Sequence, residues 1–156
     1  GVRLSGDITI GDRSSLWFNV AARGDVGSIQ IGEDTNIQDN SVIHVTTGAE
    51  GVRVGNRVTI GHGAIIHECR IADESLIGMG AILLDGVVVP RHCLVGAGSL
   101  CPPGATYDEG SLIVGSPARV KRKLTSEEIN AIKVSAAHYV EVAHEYLSQR
   151  EDSPYR

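Results

Sequence analysis

The chain has 156 residues, 19 of them glycine and only six aromatic (one Trp, four Tyr, one Phe), which is one domain's length with too few rings for an ordinary core. Fourteen Lys and Arg against 19 Asp and Glu give a net charge of −5, so no basic footprint for nucleic acid is present. The longest apolar run, Ala81 to Pro90, is interrupted by Asp85 and falls far short of the roughly 20 residues a membrane span needs.

No signal-peptide pattern is present. Cys69, Cys93 and Cys101 are odd in number and form no C-x-x-C pair, which argues against a disulfide framework or a thiolate zinc site. They read as small buried thiols of a cytoplasmic protein.

From the N-terminal side onward, aliphatic residues recur six apart. The register runs Leu4, Ile10, Leu16, Ala22, then Ile31, Ile37, Ile43, then Val54, Ile60, Ile66, and finally Ile71, Ile77, Leu83, Val89, Val95, Cys101, Tyr107, Ile113. A period of six slips out of phase with both a helix and a long simple strand. It fits short strands that turn a corner every six residues, each unit sending one aliphatic side chain to a narrow axis. Three units make a coil, and coils stack at about 4.8 Å. The expected fold is an all-β solenoid of hexapeptide repeats with about six coils. It resembles the left-handed parallel β-helix. A narrow axis admits Ile, Val, Leu and Ala but few rings, and glycines are expected at corners that need special backbone angles.

The register breaks three times. The nine residues from Ala22 to Ile31 predict a bulge or loop over Arg23–Ser28. Between Ile43 and Val54, Thr46-Thr47-Gly48-Ala49-Glu50-Gly51 reads as a loop, and Ile66 to Ile71 is one residue short. Insertions in a solenoid often mark its functional side. These patterns divide the chain into a β-helix domain over 1–119, a linker over 120–124, a C-terminal α-helix over 125–149 packed alongside, and a frayed tail over 150–156. Thr125 and Glu128 form a capping box. Ile129, Ile132, Ala136, Val140, Ala143 and Leu147 form one apolar stripe.

His44, His62 and His67 stand in patterned places in the repeat. The spacing of His44 and His62 is one full coil, which in an uninterrupted solenoid stacks them on one face. His67, five residues beyond His62, cannot share that face within its own chain. A neighbouring subunit could bring the faces together, with two histidines from one chain and one from the next. Three neutral imidazoles with an open fourth position are the ligands of catalytic zinc, which lowers the pKa of its water toward about 7. Imidazole also accepts Fe2+ or Co2+. Repeat histidines alternatively cap corners or bond between coils.

Gln38, which offers both an acceptor and a donor, suits a role in orienting the reacting water. Asp39 could do the same or support an imidazole. Arg23 and Asp25, at the first break, read as an ion pair at a subunit contact. His92, His138 and His144 read as bystanders.

The strings Arg23-Gly24-Asp25, Asn36-Ile37-Gln38-Asp39, His44, Gly61-His62-Gly63-Ala64-Ile65-Ile66-His67, Ile77-Gly78-Met79-Gly80-Ala81 and Val114-Gly115-Ser116-Pro117-Ala118-Arg119 together resemble the gamma-class carbonic anhydrase family. The resemblance covers nearly the whole chain. The Gly-Ser-Pro-Ala-Arg ending is shared with hexapeptide acyltransferases and is not specific, whereas the R-G-D, N-x-Q-D and G-H-x-x-x-x-H set is. It implies a homotrimer with Zn2+ at each interface, held by His44 and His67 of one subunit and His62 of its neighbour. It also implies reversible hydration of CO2 to bicarbonate, Gln38 and Asp39 in the active site, an inter-subunit pair of Arg23 with Asp25, and Tyr139 near the pocket.

The acidic loop and shuttle glutamates of the family's best-characterised active branch are not matched: Val26 follows Arg-Gly-Asp, and Glu50 is the only acidic residue in the loop after His44. Two other readings stand beside hydration. One is a non-catalytic metal-binding trimeric scaffold or assembly subunit. The other is an acyl-CoA transferase or thioesterase on the same fold, for which the loop after His44 is short.

Overall fold

The computed structural model describes residues 1–151 and is a parallel β-solenoid of about six coils with one C-terminal helix. Its short strands fall on three faces. The first stacks Ser15–Leu16, Asn36–Ile37, Thr59–Ile60, Leu76–Ile77, Leu94–Val95 and Ser111–Gly115. The second stacks the start of Ala21–Ile31 with Val42–His44, Ile65–His67, Ile82–Leu83 and Leu100–Cys101. The third stacks the end of Ala21–Ile31 with Val52–Val54, Arg70–Ile71 and Val88–Val89. Every pairing among these is parallel.

The residues marked by the six-residue period form the axis. Ile37, Ile60, Ile77, Val95 and Ile113 stack in register on the first face, and Ile43, Ile66, Leu83 and Cys101 on the second. All nine are wholly buried. Leu4 and Ile10 carry the same mark but remain exposed, because they lie in the outermost coil. Cys69, Cys93 and Cys101 are buried free thiols, and burial pushes each above the usual thiol range.

The glycines divide into two kinds, which corrects the simple corner assignment. Those that follow an axial aliphatic have no left-handed backbone. Instead a Cβ at Gly61 would lie 2.8 Å from the Met79 amide nitrogen, and one at Gly78 would lie 2.5 Å from that of Ala97, so absent side chains let successive coils approach. A different set, including Gly63 and Gly80, takes positive φ at the corners, as do Asn40, Glu68 and Glu74.

Of the bulge or loop expected at the first register break, the structure forms a bulge. Residues 23–28 lie within the eleven-residue strand Ala21–Ile31, which pairs with Arg3–Ile10 over 21–24 and again over 29–31. Between Gly24 and Ile29 the register shifts, four residues standing opposite Asp7 alone, so the extra residues form a bulge. The second break is a loop, lying between Val42–His44 and Val52–Val54.

The stretch expected as a linker over 120–124 is largely strand: Ala118–Lys123 folds back antiparallel on Ser111–Gly115 and covers the end of the first face. The helix follows over Ser126–Glu151. Its capping box forms as expected, the Thr125 amide donating to Glu128 Oε2 at 2.9 Å and the Glu128 amide to Thr125 Oγ1 at 3.3 Å. The helix crosses the first face over Ser15–Leu16, Asn36–Ile37 and Thr59–Ile60, burying Ile132 and Ala136. Its apolar stripe emerges at the far end, where Leu147 is 62% exposed. Of the expected tail, residues 152–156 lie outside the described residues. No described helix is long and apolar enough to cross a membrane.

Candidate metal centre

Parallel pairing of Val42–His44 with Ile65–His67 makes His44 and His67 direct neighbours in register, 23 residues apart. The expected stacking of His44 on His62 does not occur. The 46–51 loop lengthens that coil, so the residue one strand above His44 is His67. His44 Nδ1 lies 3.2 Å from His67 Nε2.

Each ring has a carboxylate at its other nitrogen. His67 Nδ1 is 2.7 Å from Asp85 Oδ1, and His44 Nε2 is 3.4 Å from Asp25 Oδ1. Asp85 was not singled out as a site residue from sequence; the coil above Ile65–His67 is one residue short, Ile65 pairing with Ile82 and Ile66 with Leu83, so Asp85 lies one position past the register partner of His67. The hydrogen bond from His67 holds the Asp85 carboxyl below its ordinary range, against the opposing effect of burial. Asp25 is likewise lowered, chiefly by Arg23, whose Nη1 donates to Asp25 Oδ2. Arg23 and Asp25 thus pair within one chain and one strand, where the resemblance implies a pair across subunits.

His62 stands elsewhere. It precedes Ile65–His67, at the other edge of the second face, with Nδ1 2.9 Å from Asp39 Oδ2. Gln38, buried beside Asp39, donates from Nε2 to Asn36 Oδ1 at 3.1 Å. Asn36 in turn donates to Thr59 Oγ1 at 2.9 Å, which lies 3.5 Å from Ser135 Oγ on the helix. This buried chain leaves the Gln38 side-chain carbonyl as its free function. Tyr139, on the same helix, packs edge-to-face on Trp17 at 5.7 Å. Its hydroxyl is pushed up by burial and then by the charge of Asp39.

The structure therefore gathers the expected site residues into two groups at opposite edges of one face. Arg23, Asp25, His44 and His67, joined by Asp85, form one; Gln38, Asp39, His62 and Tyr139 form the other. Among the described residues, no three His, Cys, Asp or Glu side chains of one chain converge on a common ion position.

The first group suits two ligands of a divalent ion. With Nδ1–H of His67 bonded to Asp85 and the His44 proton on Nε2, the side nearer Asp25, two ring lone pairs would face one another. A tetrahedral ion with metal–nitrogen bonds of about 2.0–2.1 Å sets its ligand nitrogens roughly 3.3 Å apart. The observed 3.2 Å matches that edge. His44 Nε2 is buried without a hydrogen-bond partner, Asp25 Oδ1 standing 3.4 Å away.

Of the expected bystanders, His138 stacks edge-on to Tyr139. His92 belongs to an ion-pair cluster around Glu74 that periodicity gives no means to see.

No family profile matches the chain. Among curated proteins, it is 44% identical over 153 residues to gamma carbonic anhydrase 2, mitochondrial, of Arabidopsis thaliana, covering 95% of this chain and 55% of that one. It is 46% identical over 143 residues to a protein of Methanocaldococcus jannaschii named "Probable carbonic anhydrase", covering 92% of this chain and 89% of that one. Among solved structures, a hexapeptide transferase family protein from Anaplasma phagocytophilum superposes with a TM-score of 0.88 at 39% identity, over 92% of this chain and 84% of the other. The chain spans about half the length of the plant relatives it matches.

Proposed function

The chain belongs to the gamma-class carbonic anhydrase family, and from that premise we propose that it hydrates CO2 reversibly to bicarbonate at metal sites completed between subunits of a homotrimer. The observation that carries this reading is the facing pair His44 Nδ1 and His67 Nε2 at 3.2 Å, with His62 at the opposite edge of the same face. Between the two edges the face presents a ladder of outward aliphatics, Val42, Ile65, Ile82 and Leu100, stacked in register. Val42 and Ile65 are 42% and 40% exposed. A second copy of this chain covers such a ladder and brings its His62 toward His44 and His67.

Three imidazoles would hold Zn2+, or Fe2+ or Co2+ in its place, and a cation so bound supplies acidification of a coordinated water toward about pKa 7. The remaining work falls to the chain. Asp85 accepts a hydrogen bond from His67 Nδ1, while Asp25 and Asp39 stand beside His44 Nε2 and His62 Nδ1, a placement that favours lone pairs on His67 Nε2, His44 Nδ1 and His62 Nε2. Gln38 has its amide group committed to Asn36 and keeps Oε1 to accept a hydrogen bond from the reacting water. The net reaction releases one proton, which passes to buffer.

A specific observation favours a second reading, the non-catalytic metal-holding scaffold. Glu50 is the only acidic residue of the 46–51 loop, and its carboxylate is paired with Arg70 on the third face rather than turned toward the histidines. Stopped-flow CO2 hydration by anaerobically prepared, metal-loaded protein separates the two. Hydration that disappears in His44→Ala supports catalysis. Absence of hydration above background in a metal-replete trimer abandons it, and loss of the trimer on chelation then supports the scaffold. Turnover of acyl-CoA by the same preparation would favour acyl transfer or thioester hydrolysis instead.

A further inference from the structure

Glu68 is a buried carboxylate with no cation beside it among the described residues. Its two oxygens instead accept backbone N–H bonds from the two ends of one loop, Thr46 to Oε2 at 2.9 Å and Gly51 to Oε1 at 2.6 Å. Its own backbone is fixed in the stack, the Glu68 amide donating to the His44 carbonyl at 3.1 Å and the Gly86 amide to the Glu68 carbonyl at 2.7 Å. A buried carboxylate without a counter-charge is costly. Two charge-assisted bonds to loop amides offset that cost, and in doing so they hold the 46–51 loop closed at both ends.

What the closed loop delivers is the Thr46 hydroxyl. Thr46 Oγ1 donates to Asp85 Oδ2 at 2.9 Å, while Asp85 Oδ1 stands 2.7 Å from His67 Nδ1. One oxygen of Asp85 is thereby occupied, which fixes the rotation of the carboxylate and leaves the other for the imidazole.

We infer that Glu68 and Thr46 are positioning residues for His67: the buried carboxylate clamps the loop, the loop's hydroxyl orients Asp85, and Asp85 holds His67 as the Nδ1–H tautomer with Nε2 free for an ion. The link to metal binding rests on the proposed metal site, whereas the effect on His67 itself does not. The loop, read from sequence as an interruption of the kind that marks a solenoid's functional side, thus acts as a brace for one imidazole. Its effect reaches His67 without any contact between Glu68's carboxylate and the ring.

Two measurements test this on the 156-residue chain. In metal-free protein at pH 8, imidazole 15N shifts report the tautomer of His67. Cobalt affinity, by competition with a chelator, reports its readiness as a ligand. Thr46→Val should convert His67 from mainly the Nδ1–H form to a mixture and weaken Co2+ binding about tenfold, the lower end of outer-sphere effects. Thr46→Ser, which restores the hydroxyl, should return both to wild-type values. Glu68→Gln should shift the tautomer in the same direction and speed amide exchange at Thr46 and Gly51.

An unchanged His67 tautomer in Thr46→Val overturns the inference, even where cobalt binds. If wild-type protein binds no cobalt, the metal reading fails, and the tautomer shift alone then supports or refutes the brace.

Discussion

The Glu74→Gln variant removes one charge from the most heavily partnered carboxylate among the described residues. Glu74 occupies a left-handed corner, and its side chain is only 8% exposed. Arg57 Nε donates to Oε1 at 3.1 Å, Arg91 Nη2 donates to Oε2 at 2.9 Å, and His92 Nε2 lies 2.7 Å and Lys133 Nζ 3.3 Å from Oε2. These partners join three successive coils to the helix. Burial pushes the Glu74 carboxyl up, but His92, Arg91, Lys133 and Arg57 together bring it from 4.5 down to about 2. At about 1.4 kcal/mol per pH unit, that difference corresponds to roughly 3 kcal/mol in favour of the folded state. Arg57, Arg91 and Lys133 are each more than two-fifths exposed, so solvent screening reduces the expected contribution to about 2 kcal/mol. Because the folded carboxyl is the stronger acid, this contribution is complete above the unfolded value of 4.5 and fades as pH falls toward 2. Urea denaturation at fixed protein concentration should place Glu74→Gln about 2 kcal/mol below wild type at pH 7, with the gap closing between pH 4.5 and pH 2. A gap under about 0.5 kcal/mol at pH 7, the range of an ordinary surface change, would refute the reasoning, as would a gap that ignores pH.

Leu83→Ala should cost about 2–5 kcal/mol, because Leu83 is wholly buried on the axis between Ile66 and Cys101; Leu4→Ala, at an exposed position of the same register, should cost under about 1 kcal/mol, and equal losses in urea melts would contradict the axial packing. Thr125→Ala removes the side-chain half of the capping box and should cost about 1 kcal/mol, read as earlier loss of helical circular dichroism than of solenoid signal. Ile65→Glu places a charge in the exposed aliphatic ladder and should yield monomers by light scattering where the unaltered chain associates; a variant that still forms trimers would remove that face from the proposed interface.

The six-residue period was enough to place one axial residue in each unit of the inner coils, because a narrow axis admits only small aliphatics there; the residues two before them, such as Val58, Ala64 and Val87, are equally buried. It was not enough to place the histidines. The equal spacing of His44 and His62 suggested stacking, yet the 46–51 loop adds residues to that coil and puts His67 above His44 instead. Past the loop the next coil is one residue short, so Asp85, 18 residues beyond His67, sits one position past its register partner and a count of repeats alone does not pair the two. At the first break the spacing leaves bulge and loop open, and the structure forms the bulge, inside Ala21–Ile31, with Arg3–Ile10 pairing on either side of it. Glu68 and Glu74 were invisible to periodicity. Both are carboxylates buried at corners, held there by backbone amides in one case and by cations in the other, and neither kind of partner leaves a repeating mark in the sequence.

The division of the candidate site into two groups bears on how it could be completed. Folding a single chain brings His44 and His67 together and backs them with Asp25 and Asp85, but it leaves His62 and Asp39 across the width of the second face. No rotamer change crosses that distance, because the intervening aliphatic ladder is fixed by strand pairing. An isologous dimer, which sets each patch against its own copy, would tend to place like groups together. A heterologous contact sets one edge against the other, and repeating it around a closed ring satisfies both edges of every subunit. On the proposed reading, the same contact that buries Val42 and Ile65 also supplies the third imidazole, so assembly and metal binding are thermodynamically linked.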